Sequence, residues 1–146
     1  MKKIYFAILC LLLATTAFAR KQQVPHLYIF GFAASFTDTI VHFTPIQQLD
    51  SAWIEGKNRF LLERDAYSFQ LRNYLEHQHQ MSHRTCVVFY NEKRSKLEKE
   101  YAKMLRLYGK TKKGEEHFDA RQLPDFRFTV IDMNDYQTEE ETEVKP

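Results

Sequence analysis

The sequence predicts a small α/β domain, with an α+β arrangement as its variant, in which helices pack on a sheet of about four strands. Three observations predict it. Runs rich in β-branched and aromatic residues recur at Leu27–Phe36, Thr39–Thr44, Arg84–Tyr90 and Phe126–Met133. Two longer stretches, Ile46–Met81 and Glu92–Tyr108, hold no proline and carry apolar residues at helical spacing. The chain has 146 residues, 44% hydrophobic and 14% aromatic, which suits one buried core and argues against wholesale disorder. The expected order is β-β-α(α)-β-α-β.

The first segment reads as an address. Lys2 and Lys3 precede an unbroken apolar run from Ile4 to Ala14, and Ala17-Phe18-Ala19 supplies the small residues of a cleavage site. That is a secretory signal, with a run too short for a comfortable membrane span. Residues 1–19 are therefore expected to be removed, leaving a single domain over 20–134 and an acidic disordered tail over 135–146. Without the signal the chain is formally neutral, with 19 bases against 19 acids, and Cys86 is its one cysteine. An intramolecular disulfide is then impossible, and the expected destination is periplasmic or secreted.

Leu27–Phe36 is a strand, and Gly31 inside it marks a bulge or a close backbone approach. Ser35-Phe36-Thr37-Asp38 reads as a turn into the strand Thr39–Thr44, which Pro45 stops. Asp50 or Ser51 could cap a helix ahead of Ala52-Trp53-Ile54. Phe60, Arg64, Tyr67, Leu71, Tyr74 and Leu75 then mark one helical face. Arg84–Tyr90 is apolar on both faces, as a central strand is. Asn91 caps the helix from Glu92 to Tyr108, which Gly109 ends. Lys110–Pro124 reads as a polar loop and Phe126–Met133 as a last strand. The final strand, helix and strand form a unit whose strands should run parallel.

Two clusters are candidate sites. Glu76, His77, His79 and His83 lie close in sequence, with Cys86 following, and imidazole with thiolate suits zinc or copper. His77, His79 and His83 are the metal-ligand candidates. Against them, residues two apart on a helix point roughly 200° apart, and histidine at a helix end also meets the dipole favourably. The second cluster is the helix from Glu92, where Lys93–Lys113 holds nine bases and two acids. Leu97, Tyr101, Met104, Leu105 and Tyr108 form its apolar stripe. Lys96, Lys99, Lys103 and Arg106 lie outside it and could engage an anionic surface, although a solvated face over a core stripe is the commoner use of such a pattern. Ser35, Asp38 and His42 permit a triad reading, but no nucleophile elbow accompanies them and the first two are ordinary turn residues. Cys86 lacks the setting of a reactive thiol and is expected to be buried. The glycines are isolated, so no phosphate loop and no cofactor is implied.

The runs Tyr28–Asp38 and Arg84–Phe89 resemble those of small exported proteins of unknown function from Gram-negative bacteria. The resemblance covers most of the chain after the signal and implies export and a compact domain. It carries no activity, so no residue receives a role from it. The expected function is an exported domain that binds without catalysing, or an accessory of the cell envelope. Its partner would be an anionic envelope component or an acidic protein, with nucleic acid disfavoured. The alternative is an enzyme of unrecognised type or a metal-binding protein using His77, His79 and His83. The export reading predicts cleavage after Ala19: intact-mass analysis of the protein from its producing cells should find Arg20 first. Retention of Met1 in a membrane fraction would make the segment an anchor.

Overall fold

The computed structural model describes residues 2–4, 20–109 and 117–134. Most of the apolar run and the cleavage site expected of a signal, the segment 110–116 and the acidic stretch 135–146 lie outside them. No helix among the described residues is long and apolar enough to cross a membrane.

The architecture is a mixed sheet with helices on it, as the sequence implies. The sheet is built on β1 (Lys21–Ala34), a 14-residue strand that is longer than Leu27–Phe36. Along one of its edges run β3 (Gln47–Glu55), beside its first half, and β2 (Ile40–Phe43), beside its second, both antiparallel. The opposite edge pairs with β5 (Thr85–Asn91), also antiparallel. A short β4 (Phe60–Leu61) extends the sheet beyond β3, and β6 (Asp119–Gln122) lies parallel to β2.

Side chains of β1 alternate between two cores. Leu27, Ile29 and Ala33 face a cluster with Tyr67, Leu71 and Leu75 of helix α1 (Arg64–Gln78). Phe30 and Phe32 face a second cluster with Val41, Phe43 and Leu97, the last from helix α2 (Arg94–Gly109). Aromatic rings fill that side: Phe30 stacks on Phe89 at 4.9 Å and meets Tyr101 edge-on at 4.9 Å. The sheet thus has a helix on each face.

Three expectations fail in detail. The stretch expected to open the first helix is β3. Its ladder with β1 skips the position where Pro25 faces Ser51, and Ser51 takes a left-handed φ of 64°. Both strands reverse their facing there, so Leu49, Ala52 and Ile54 are buried at a spacing that begins like a helix. Phe126–Met133 is not a strand. It crosses the α1 face as an extended segment, with Phe126 and Phe128 in the core. Side chains hold its backbone: Gln47 Oε1 accepts from Phe128 N–H at 2.8 Å and Gln70 Oε1 from Thr129 N–H at 2.9 Å. The strand that follows α2 is β6, inside the expected loop. The parallel unit expected to end in Phe126–Met133 therefore ends in β6 instead, which pairs with β2 and points the same way as β5.

Gly31 is both of the things its place in a strand suggests. Between the pairs Ile29–Gln47 and Phe32–Phe43, two residues of β1 face three opposite, Thr44, Pro45 and Ile46, which makes a bulge. Thr44 closes the gap. Its N–H donates to Gly31 O at 3.0 Å and its Oγ1 accepts from Gly31 N–H at 2.8 Å. A Cβ on Gly31 would stand 2.6 Å from Leu71 Cδ2, 3.1 Å from Phe128 Cζ and 3.2 Å from Thr44 Cγ2.

Gly31→Ala should therefore lower unfolding stability by about 1–3 kcal/mol through overpacking. The penalty should shrink by at least about 0.5 kcal/mol in a Leu71→Ala background, because the nearest obstacle is gone. Denaturant titration of the four proteins in the cycle measures this. An equal penalty in both backgrounds would show that Leu71 does not limit the approach.

Candidate functional site

Helix α2 is amphipathic for a simple reason. Leu97 is fully buried, while Tyr101, Met104, Leu105 and Tyr108 pack against the aromatic cluster of the sheet. With that stripe on the core, Lys96, Lys99, Lys103 and Arg106 stand at steps of three, four and three on the opposite side, and all four are exposed. None of the four has an ion-pair partner among the described residues. Two other bases nearby are engaged: Arg94 pairs with Glu98 at 2.8 Å and Arg59 forms a two-pronged pair with Glu92. Lys96 also borders a cleft of about 480 Å3, shared with Lys57, Lys93 and Asn91 between the β3–β4 turn and the start of α2. The basic row therefore runs from a concave end along one face of the helix. Lys110, Lys112 and Lys113 lie outside the described residues.

The three histidines are placed differently. His77 sits in the last turn of α1. His79 follows the helix, with its N–H donating to Leu75 O at 3.2 Å and its ring 5.2 Å from that of Tyr74. The backbone turns through left-handed φ at Gln80 and again at His83 before entering β5. All three side chains are exposed. Among the described residues, no three of His, Cys, Asp and Glu stand close enough together to hold a metal ion.

Cys86 is half-buried rather than buried, because β5 is paired only on the β1 side and the thiol borders a groove beside α1. Burial pushes its pKa up to about 11. The thiol is therefore protonated at neutral pH, the wrong state for a nucleophile. Ser35 Oγ bonds to Thr37 Oγ1 at 2.8 Å and accepts from Thr37 N–H at 3.2 Å, while Asp38 accepts from Ile40 N–H at 2.9 Å. These are turn contacts, and they leave Ser35 without the relay a triad needs.

The polar cluster that sequence reasoning misses is Arg84 with Asp38 and His42. Arg84 is 6% exposed. It donates to both Asp38 oxygens and, at 2.7 Å, to Ile40 O, which ties the start of β5 to the turn before β2. Burial works to raise the Asp38 pKa, but the Ile40 N–H and the Arg84 guanidinium together hold it below the ordinary value. His42 is 3% exposed, and its Nδ1 has no hydrogen-bond partner among the described residues. Burial, aided by the charges of Arg84 and Arg121, lowers its pKa to about 4. The cluster braces the fold, and of its three members Arg84 also borders the groove beside α1.

The His42 shift has a sign that can be measured. The unfolded chain protonates this ring near 6.5, and the folded chain only near 4. Between those values the unfolded state binds more protons, so stability should fall as pH drops through that window, by up to about 3 kcal/mol. The Asp38 carboxylate adds a loss in the same direction at lower pH. His42→Gln should flatten the slope between pH 6.5 and 4, whatever its absolute stability; an unchanged slope would assign the effect to another group.

Comparison with known protein families, with characterised proteins and with solved structures yields no match.

Proposed function

We propose that the protein is an exported, non-catalytic binding domain that engages an anionic component of the cell envelope through the basic face of α2. The observation that carries this reading is the row Lys96, Lys99, Lys103 and Arg106, exposed and without ion-pair partners among the described residues, on a helix whose other face is committed to the core. A regular row of cations that forms no ion pair among the described residues attracts a surface of opposite charge. The cleft beside Lys96 gives one end of the row a concave shape. The signal-like amino terminus supports export, and the resemblance of Tyr28–Asp38 and Arg84–Phe89 to small exported proteins points the same way. The fold itself argues for no reaction class: the thiol is protonated and the serine is occupied by its own turn.

The test separates charge from structure. Changing Lys96, Lys99 and Lys103 together to Gln removes three charges, each worth about 1 kcal/mol at an anionic membrane surface. Cosedimentation with vesicles rich in phosphatidylglycerol should weaken by about a hundredfold, and binding by the unaltered protein should fall with added salt. Vesicles of phosphatidylcholine alone should retain neither protein. Unfolding stability of the triple variant should change by less than about 0.5 kcal/mol, since exposed unpaired positions are being altered. Leu97→Ala, on the buried face, should cost about 2–5 kcal/mol. Undiminished vesicle binding by the triple variant would overturn the reading.

A further inference from the structure

The outer edge of β5 lacks the features that keep an edge strand from pairing. β1 occupies its inner edge, and no strand among the described residues lies along the other. Its seven residues, Thr85–Asn91, include no charge, proline or glycine, whereas natural edges are commonly blunted by lysine, proline or a bulge. Val87 on this strand is 40% exposed. Beside it α1 presents Phe69, 52% exposed, with the Arg72 guanidinium 5.1 Å above its ring. Aromatic and arginine side chains are the types enriched at protein interfaces. Between α1 and the strand edge runs an open groove of about 570 Å3.

We propose that a second copy of this chain closes the groove, its β5 pairing antiparallel with this β5 about a two-fold axis at Val88. Full overlap of a seven-residue strand with itself sets Val88 opposite its own copy, Val87 opposite Phe89 and Cys86 opposite Tyr90. Pairing Val87 with Phe89 covers the exposed valine. No like charges oppose one another along the strand.

The same axis makes α1 self-complementary in charge. Arg64 and Asp65 line a hollow with Tyr90 at one end of the strand. Arg72 and Glu76 lie near enough to Cys86, at the other end, for their charges to act on its thiol. Setting Cys86 of one copy against Tyr90 of the other therefore brings Arg72 towards Asp65 and Glu76 towards Arg64, twice over. Phe69, between the two charged ends, approaches its own copy near the axis. Strand and helix thus choose the same axis independently. Edge-to-edge pairing also leaves both α2 helices on one face, with their basic rows pointing the same way, although the pairing does not depend on what those rows bind.

Sedimentation equilibrium of the full chain at micromolar concentrations tests the proposal. The expected mass is that of a dimer. Val87→Lys should raise the dissociation constant by at least about tenfold. Asp65→Arg and Arg72→Asp should each weaken the dimer, and the two changes together should restore it, because the crossed pairs re-form with reversed sign. All three positions are exposed, and circular dichroism checks that each variant is folded. A monomer at every concentration would overturn the proposal. So would a dimer indifferent to Val87→Lys, or a double reversal that binds no better than either single change.

Discussion

The structure turns on a missing side chain. At Gly31 the central strand passes so close to Leu71 of α1 and Phe128 of the carboxyl-terminal segment that a Cβ would force the Leu71 side chain to move. This approach sets the depth at which α1 lies on the sheet, and it seats the segment after β6 in the same core. Thr44 completes the arrangement from the neighbouring strand by bonding both backbone groups of Gly31 where Pro45 interrupts the ladder. Proline has no N–H to give, so the hydroxyl and amide of the preceding threonine keep the bulge satisfied. One position thus joins a helix, two strands and an irregular segment.

The other face follows from the alternation of the same strand. Because the residues beside Gly31, Phe30 and Phe32, point away from α1, they build an aromatic layer against which α2 must lay its apolar stripe. The helix then has no freedom to hide its lysines. The exposure of Lys96, Lys99 and Lys103 is a consequence of how β1 divides its side chains, and the functional reading rests on that division. Charge is the output of the packing and contributes little to stability, since exposed charges without partners have little to lose.

Much of this was legible in the residues. The sheet with helices packed on it, β2, β5, both helices, the apolar stripe of α2 and the opposed basic row all follow from local spacing. Gly31 announced itself by interrupting an aromatic run. The hidden parts depend on partners distant in the chain. β3 imitated a helix because Ser51 and Pro25 reverse the facing of both strands together, which breaks the two-residue period. Phe126–Met133 has strand-like composition, but its amides go to the side chains of Gln47, Gln70 and Tyr67, which no local pattern reveals. Arg84 and Asp38 are 46 residues apart and meet only once β5 lies against β1. His42 alternates with Val41 and Phe43, a pattern that reads as exposed when the opposite face is assumed bare; here both faces of the sheet are covered.

The carboxyl-terminal segment belongs to the core that Gly31 permits, although it pairs with no strand among the described residues. Native-state hydrogen exchange measures this directly. The Phe128, Thr129 and Ile131 amides donate to Gln47, Gln70 and Tyr67 side chains at 2.8, 2.9 and 3.1 Å. If the segment and α1 open as one unit, these three amides should be protected to the same degree as the buried turns of α1 around Leu71. Exchange of the three at the rate of an open loop, while α1 remains protected, would contradict the account.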